Sequence, residues 1–254
     1  MARASSDLQA WVTRAWPHAP VEPAFPVIRQ VDLPVDEADV DALQDRCRTL
    51  LHAAEQVTSQ RFTGSRRTEW LLGRVAIKES VRDWQAAMGH PVVPCERIEV
   101  GIDQAGAPWV RAPGSIAPEV SLAHTRVTAG PGRLAQAGLV LAAASSPGER
   151  VGVDVEAVDR PLPALDRLLD ERERALIDSE CGAIGLLVAK EAAAKAAGTG
   201  LQGSLYRWPI HSRQGPLVLV GDEHDQRRWV HVSKAGRWVV GVCSSAWISS
   251  ARMW

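Results

Sequence analysis

The chain has 254 residues, 46% of them hydrophobic, which is enough to bury one or two cores. Its 29 basic and 30 acidic side chains nearly cancel, which argues against a nucleic-acid-binding protein, since such proteins carry a broad basic surface. The cysteines are scattered and form no C-x-x-C pattern, which argues against a zinc site and against a disulfide framework. The sequence shows neither a long apolar segment nor a signal-peptide pattern, which argues against a membrane span. We therefore expect a cytoplasmic protein with reduced thiols.

The first half of the chain is predicted to place two helices before a set of short strands. Five prolines before residue 35 exclude a long helix there, so this segment is expected to wrap the surface or form an edge strand. Apolar residues at helical spacing predict helices over Asp36–Glu55 and Ser65–Met88. Short strands are predicted near Ile98–Ile102, Pro108–Val110, Val120–His124 and Ala137–Ala144.

The second half is predicted to return from strand to helix and back to strand. A strand is expected over Val151–Val158, and helices are expected from Pro163 to Gly198. Runs rich in Val and Trp predict closing strands at Leu217–Val220, Arg228–Val232 and Trp238–Trp247. The Gly- and Pro-containing stretch Ala129–Arg133 is interpreted as a lengthened hairpin loop.

Two clusters of charged residues in the second half suggest a metal and phosphate site. In V-G-V-D-V-E the valines alternate with Gly152, Asp154 and Glu156, so a strand would bury the valines and place both carboxylates on the other face, suited to a hard cation. In K-E-A-A-A-K the i, i+4 spacing places Glu191 and Lys195 on one helical face. Taken singly, the first pattern is more often a solvated strand face and the second a self-stabilising helix than a binding site.

The two clusters in this order resemble the signature of the 4′-phosphopantetheinyl transferases, and within that family the larger, surfactin-type class. The segment V-S-L-A-H-T resembles the family segment whose histidine contacts the 3′-phosphate of coenzyme A, which would be His124. The basic region with Arg61, Arg66 and Arg67 is similar to the one that supplies cations to the nucleotide end of coenzyme A. Together these matches run from about residue 61 to residue 201.

The resemblance has two departures. Leu187 stands three residues before the signature Lys-Glu, where many members carry an aromatic residue or cysteine. Ala107 stands where the family often has a basic residue, so another cation must replace it, with Arg111 and Arg133 as candidates. The run W-L-L-G-R-V-A-I-K is similar to transferase domains at the ends of polyketide megasynthases, and one hypothesis is that the chain is such a domain, excised.

The resemblance implies an α+β fold of two similar halves related by a pseudo-twofold, residues 1–147 and 148–254. Each half would pack a small, mostly antiparallel sheet against a long helix, with the active site in the cleft between the halves. The first half would contact the nucleotide end of coenzyme A, and the second would hold the metal and the signature helix. A weak sequence similarity between the segments around Lys78-Glu79 and Lys190-Glu191 is consistent with such an internal repeat.

The implied activity is transfer of 4′-phosphopantetheine from coenzyme A, the co-substrate, to a serine of an apo acyl- or peptidyl-carrier protein, with release of 3′,5′-ADP. The reaction would need Mg²⁺, with Mn²⁺ able to substitute, held by Asp154, Glu156 and Glu191. Glu191, Lys195 and Asp154 would be the catalytic residues, Glu191 acting as base directly or through a metal-bound water, and Lys195 stabilising the leaving group. The implied contacts with coenzyme A are His124, Arg61, Arg66, Arg67, Lys190 and Lys195.

We expect a monomer whose partners are coenzyme A and a carrier protein or domain. We do not expect it to bind nucleic acid or a membrane. The pathway stays open between polyketide, peptide and fatty-acid assembly. Two other functions remain open as well. A Mg²⁺-dependent phosphohydrolase could use the same carboxylates, and a catalytically silent carrier-binding module is suggested by Ala107, although the retained charged residues argue against it.

Overall fold

The computed structural model describes residues 26–33, 37–127, 137–162, 168–201 and 203–245. Contacts between residues divide them into two compact units. Unit 1 runs to Gly148 without Gln104–Ala107, and unit 2 comprises that short stretch and the residues from Glu149 onward. None of the described helices is both long and apolar enough to cross a membrane.

Unit 1 packs one long helix on a three-stranded antiparallel sheet. The sheet has the order β1-β5-β4, and β2 and β3 form a separate hairpin. The long helix α3 buries its apolar face on this sheet, and the hydrophobic core between them includes residues of β4 and β5. The elements of unit 1 are β1 (Val27–Leu33), α1 (Glu37–Leu50), α2 (Ala53–Ser59), α3 (Gly64–Ala87), a 3₁₀ turn (Cys95–Arg97), β2 (Glu99–Ile102), β3 (Pro108–Arg111), β4 (Glu119–Val127) and β5 (Ala137–Ser145).

Unit 2 packs an alanine-rich helix on a five-stranded antiparallel sheet of order β6-β10-β9-β8-β7. The helix α5 contributes Val188, Ala189, Ala192 and Ala193 to a core shared with strands β8 to β10. The elements of unit 2 are β6 (Val151–Ala157), α4 (Glu171–Arg174), α5 (Gly182–Ala196), a 3₁₀ turn (Leu205–Arg207), β7 (Ile210–Gln214), β8 (Leu217–Val220), β9 (Arg228–Ala235) and β10 (Trp238–Ser244).

The α+β class is confirmed, because each unit combines helices with an antiparallel sheet. An edge strand before residue 35 is found as β1, which pairs with β5 alone among the described strands. The predicted helix over Asp36–Glu55 is wrong in one respect, since it is two helices. His52 caps α2, because its Nδ1 accepts the N–H of Ala54 and its own N–H donates to Glu55, which starts a new helix.

The strand β7 was not predicted, because its sequence I-H-S-R-Q has a single apolar residue and therefore no alternation. It joins the sheet through β8 in a hairpin at Gly215, whose φ of 57° favours glycine. The predicted loop at Ala129–Arg133 lies outside the described residues, as does the end of the strand predicted to reach Trp247.

The two units share an order of elements. Among the described residues, each begins with a strand and continues with a short capped helix, a long helix, a 3₁₀ turn, a hairpin and a final pair of strands. In both, the first strand pairs with the last, giving β1-β5-β4 in unit 1 and β6-β10-β9 in unit 2. Within the part of the chain that the structure describes, unit 1 has one additional helix, α1. The pseudo-twofold relation between the halves stays a prediction.

Candidate active site

The side chains of Asp154 and Glu156 lie on the face of β6 that packs against α5. On this face a Cβ at Gly152 would overlap the carbonyl oxygen of Ala192. Gly241 is the partner of Asp154 in β10, and a Cβ there would lie 2.6 Å from Cγ1 of Val188. Two glycines therefore let the helix approach the strand closely, beside Asp154. The valines of β6 point to the other face, as predicted, and both faces are buried there.

Lys195 connects two carboxylates. Its Nζ lies 2.8 Å from Oδ1 of Asp154 and 3.6 Å from Oε1 of Glu191, one helical turn earlier. The side chains of Asp154, Lys195 and Glu191 are 6%, 25% and 38% exposed. The cluster thus leads from a buried carboxylate to one that solvent and ligands can reach.

Burial makes the ionised form of Asp154 unfavourable. Burial raises the pKa of Asp154 to about 7, although the ammonium of Lys195 acts to lower it, and Glu191 raises it further. Its Oδ2 is buried and has no hydrogen-bond partner among the described residues. An ionised Asp154 is therefore costly in the protein alone and would be stabilised by an additional cation.

Glu156, the third predicted metal ligand, is bonded to Arg160 at the end of β6. Within the described part of the chain, no three Asp, Glu, His or Cys side chains are grouped as a metal site. Mg²⁺ nevertheless commonly uses only one or two carboxylates and takes its other ligands from phosphate and water. The orphaned Oδ2 of Asp154, together with the nearby Glu191, fits such a cation.

Lys190, predicted to contact coenzyme A, is fully buried and forms an ion pair with Glu173. Its Nζ also donates to the carbonyl oxygen of Leu205. The ammonium is therefore enclosed by protein groups, which does not support the predicted contact. Sequence reasoning missed Glu173, although Asp170-Glu-Arg-Glu173 has the spacing of a helix capping box.

In unit 1, His124 lies on β4 with about half of its side chain exposed, and its Nδ1 is 4.0 Å from Oε1 of Glu69. Arg126, two residues further along the strand, pairs with Glu69 and donates to the carbonyl oxygen of Ser65. These bonds join the end of β4 to the start of α3. Neither Glu69 nor Arg126 was predicted, although one lies in the basic region and the other beside His124.

The three predicted arginines lie just before α3 or in its first turn. Arg61 and Arg66 are exposed, and the guanidinium of Arg66 lies 5.3 Å from the ring centroid of Phe62. Arg67 is half-buried, and its Nε has no partner among the described residues. Of the two substitutes considered for Ala107, Arg111 pairs with Glu99, and the other lies outside the described residues.

Comparisons with known proteins gave one match to a family model and a weak match to a solved structure. No curated protein matches the chain. Among solved structures, the chain is similar to a holo-(acyl-carrier-protein) synthase from Bacillus anthracis str. Ames in complex with CoA (3′,5′-ADP), with 22% identity and a TM-score of 0.30 over 48% of this chain and 100% of that one. A sequence model described as the 4′-phosphopantetheinyl transferase superfamily matches residues 150–243, the span from β6 to β10 that contains Asp154, Glu191 and Lys195.

Proposed function

We propose that the protein transfers the 4′-phosphopantetheine group from coenzyme A to a serine of an apo acyl- or peptidyl-carrier protein and releases 3′,5′-ADP. The observation that carries this proposal is the cluster of Asp154, Lys195 and Glu191, in the region that matches the transferase superfamily. Such a transfer must neutralise a pyrophosphate and deprotonate a hydroxyl, and the cluster offers groups for both tasks.

Asp154 and Glu191 would hold Mg²⁺ or Mn²⁺, with Glu156 as the third proposed ligand. Bound there, the metal would act as a Lewis acid on the pyrophosphate of coenzyme A. The contribution of Asp154 is its buried Oδ2, which lacks a protein partner among the described residues. Glu156 would have to exchange its bond with Arg160 for this role.

Lys195 would act on the leaving group and Glu191 on the carrier serine. The contact with Asp154 holds the ammonium of Lys195 in place, and a positive charge there would stabilise the leaving 3′,5′-ADP. Glu191 is the most exposed member of the cluster, which leaves its carboxylate open to an approaching hydroxyl group. We assign to Glu191 the removal of the serine proton.

His124 and the arginines near the start of α3 would bind the nucleotide end of coenzyme A. Glu69 lies on the Nδ1 side of His124, so Nε2 is the nitrogen that we assign to the 3′-phosphate. Arg61 and Arg66 are exposed and add positive charge at the start of α3. This assignment keeps the nucleotide contacts in unit 1 and the metal ligands in unit 2.

We further propose that the protein belongs to the surfactin-type class and acts as a cytoplasmic monomer, with the two halves related by a pseudo-twofold. The shared order of elements in the two units supports the pseudo-twofold relation. An origin as a domain excised from a polyketide megasynthase remains a hypothesis.

Intact-mass spectrometry tests the activity. Apo acyl- and peptidyl-carrier proteins would be incubated with the protein, coenzyme A and Mg²⁺, and 3′,5′-ADP and free phosphate would be quantified in parallel. We expect one phosphopantetheine per carrier, an equal amount of 3′,5′-ADP, and neither product with EDTA or with carriers whose acceptor serine is replaced by alanine. Phosphate release without carrier modification would favour the phosphohydrolase, and coenzyme A binding without either product would favour the silent module.

A further inference from the structure

Glu173 and Lys190 form a buried ion pair that the proposed chemistry does not use. The Nζ of Lys190 lies 2.7 Å from Oε1 and 2.8 Å from Oε2 of Glu173, and both side chains are almost completely buried. Removing two charges from water is costly, and a buried ion pair is often no more stabilising than an apolar pair of the same size. Its role is therefore better sought in what it holds in position.

Glu173 joins three segments of unit 2. Its Oε1 accepts the backbone N–H of Ile210 at 2.9 Å, at the start of β7, and its Oε2 accepts the N–H of Asp170 at 3.1 Å, before α4. Asp170 in turn accepts the N–H of Glu173, which completes a capping box. With Lys190 added, one carboxylate fixes α4, β7 and the middle of α5 to each other.

The pair lies next to the candidate active site along α5. Successive residues of a helix differ in direction by about 100°, so fixing Lys190 fixes the rotation of α5 about its axis. That rotation determines whether Glu191 and Lys195 point toward Asp154. On the strand side, Gly152 and Gly241 meet α5 without side chains, so the polar contacts that orient the helix beside them are those of Lys190 with Glu173 and of Lys195 with Asp154.

Unit 1 contains a second buried Glu–Lys pair with the same bonding pattern, but it does not lie beside Asp154, Glu191 and Lys195. Lys78 of α3 pairs with Glu55 at 2.5 Å and donates to the carbonyl oxygens of Leu50 and Cys95. Glu55 also accepts the backbone N–H of His52 in a capping box and that of Val100 in β2. Because the bonding pattern recurs in unit 1, it provides a matched control within the same chain.

We propose that Glu173 is a positioning residue for the transfer reaction. Through Lys190 it sets the rotation of α5 and thereby the alignment of Glu191 and Lys195 with Asp154. The proposal rests on the proposed function of this cluster. The Glu55–Lys78 pair of unit 1 fixes α3 in the same way but aligns none of these three groups.

The test compares two double variants, Glu173→Gln with Lys190→Met and Glu55→Gln with Lys78→Met. Each removes both charges, so no buried charge is left uncompensated, and the glutamine retains an acceptor for the strand N–H. Carrier modification gives kcat and the KM for coenzyme A, and urea unfolding gives the stability. We expect both variants to lose similar stability. The unit 2 variant should lose at least tenfold in kcat with its KM for coenzyme A within twofold, and the unit 1 variant should retain kcat within twofold.

Milder variants cover the case in which a double variant does not fold. Asp170→Ala and His52→Ala each weaken one capping box without removing a buried charge. We expect kcat to fall about threefold with Asp170→Ala and not with His52→Ala. Equal kcat losses in the two units, or a loss confined to KM, would overturn the positioning role while leaving the transferase intact. A wild type that modifies no carrier would instead remove the proposed function and this role with it.

Discussion

Asp83 of α3 and Lys195 of α5 stand at the same place in their units and bear opposite charges. Each lies five residues beyond the buried lysine of its helix and bonds to a charged residue on the first strand of its unit. The strand partner of Asp83 is Arg29, and that of Lys195 is Asp154. The two units thus contain one geometry with the charges exchanged, and in unit 2 it leaves a buried carboxylate oxygen without a partner among the described residues.

This exchange predicts a single divalent-cation site in the chain. In unit 1 the guanidinium of Arg29 lies where the strand of unit 2 offers a carboxylate, so a metal there would meet a fixed positive charge. Titration with Mn²⁺, followed by electron paramagnetic resonance, should therefore give one bound ion per chain. Asp154→Asn should remove it, and the paired change Arg29→Met with Asp83→Leu should leave it in place. Two ions, one of them lost with the paired change, would contradict this prediction.

Replacing Asp154 should stabilise the metal-free protein while it abolishes transfer. Because the folded pKa of Asp154 is raised to about 7, folding disfavours its ionised form. The cost is absent below the unfolded pKa of about 3.9, grows as the pH rises and is complete above about 7. Asp154→Asn, which stays neutral at every pH, should therefore raise the free energy of unfolding at pH 8 by up to about 4 kcal/mol, since the raised pKa already includes the attraction of Lys195 and one pKa unit corresponds to about 1.4 kcal/mol.

Urea unfolding at pH 5 and pH 8 would measure this gain, with Asp159→Asn, an exposed carboxylate paired with Arg237, as the control. The gain should be smaller at pH 5. Mg²⁺ should stabilise the wild type and leave Asp154→Asn unchanged. A variant that is less stable than the wild type at pH 8 would indicate that Asp154 stabilises the fold.

His124→Ala should distinguish coenzyme A from 3′-dephospho-coenzyme A. If His124 binds the 3′-phosphate, its loss should raise the KM for coenzyme A about tenfold and hardly alter the KM for the dephospho form. Steady-state kinetics with both substrates would measure the difference, and His224→Ala, at an exposed position of unit 2, is the matched control. Equal losses with both substrates would exclude the 3′-phosphate contact.

Gly152→Ala should prevent α5 from packing on β6. The new methyl group would overlap the backbone of Ala192, which cannot move aside as a flexible side chain can. We expect the free energy of unfolding to fall by about 3 kcal/mol or more and transfer to fall with it. Gly73→Ala is the control, because the atoms nearest to the new Cβ belong to the flexible side chain of Leu122, the closest at 3.0 Å, and alanine favours the helix. Similar stabilities for the two variants would show that the approach of α5 is not limiting.

The sequence predicts the parts of this protein that depend on local pattern. The alternation around Asp154 and the spacing of Glu191 and Lys195 anticipate the strand face and the helical face that meet in the structure. Glu173 could not be anticipated as the partner of Lys190 by such reasoning, because the two are seventeen residues apart and meet only when α4 and α5 pack together. For the same reason Lys190, adjacent to Glu191 in sequence, was assigned to coenzyme A although it points into the core.

His231 should make the stability of the protein fall in mild acid. It is buried on β9, and burial lowers its pKa to about 4, below the value of about 6.5 expected in the unfolded chain. Because the unfolded state then binds the proton more tightly, this contribution to stability is complete above pH 6.5 and is lost as the pH falls toward 4. The loss should reach about 3 kcal/mol.

Urea unfolding of the wild type and His231→Leu between pH 7.5 and pH 4.5 would test this prediction. The leucine variant has no titrating group at this position, so its stability relative to the wild type should improve steadily as the pH falls. His224→Gln, which removes an exposed imidazole, should follow the wild type over the whole range. The contrary result would be a difference in the free energy of unfolding between His231→Leu and the wild type that is constant with pH. His231 would then have the same pKa in the folded protein as in the unfolded chain, and its burial would not make stability depend on pH.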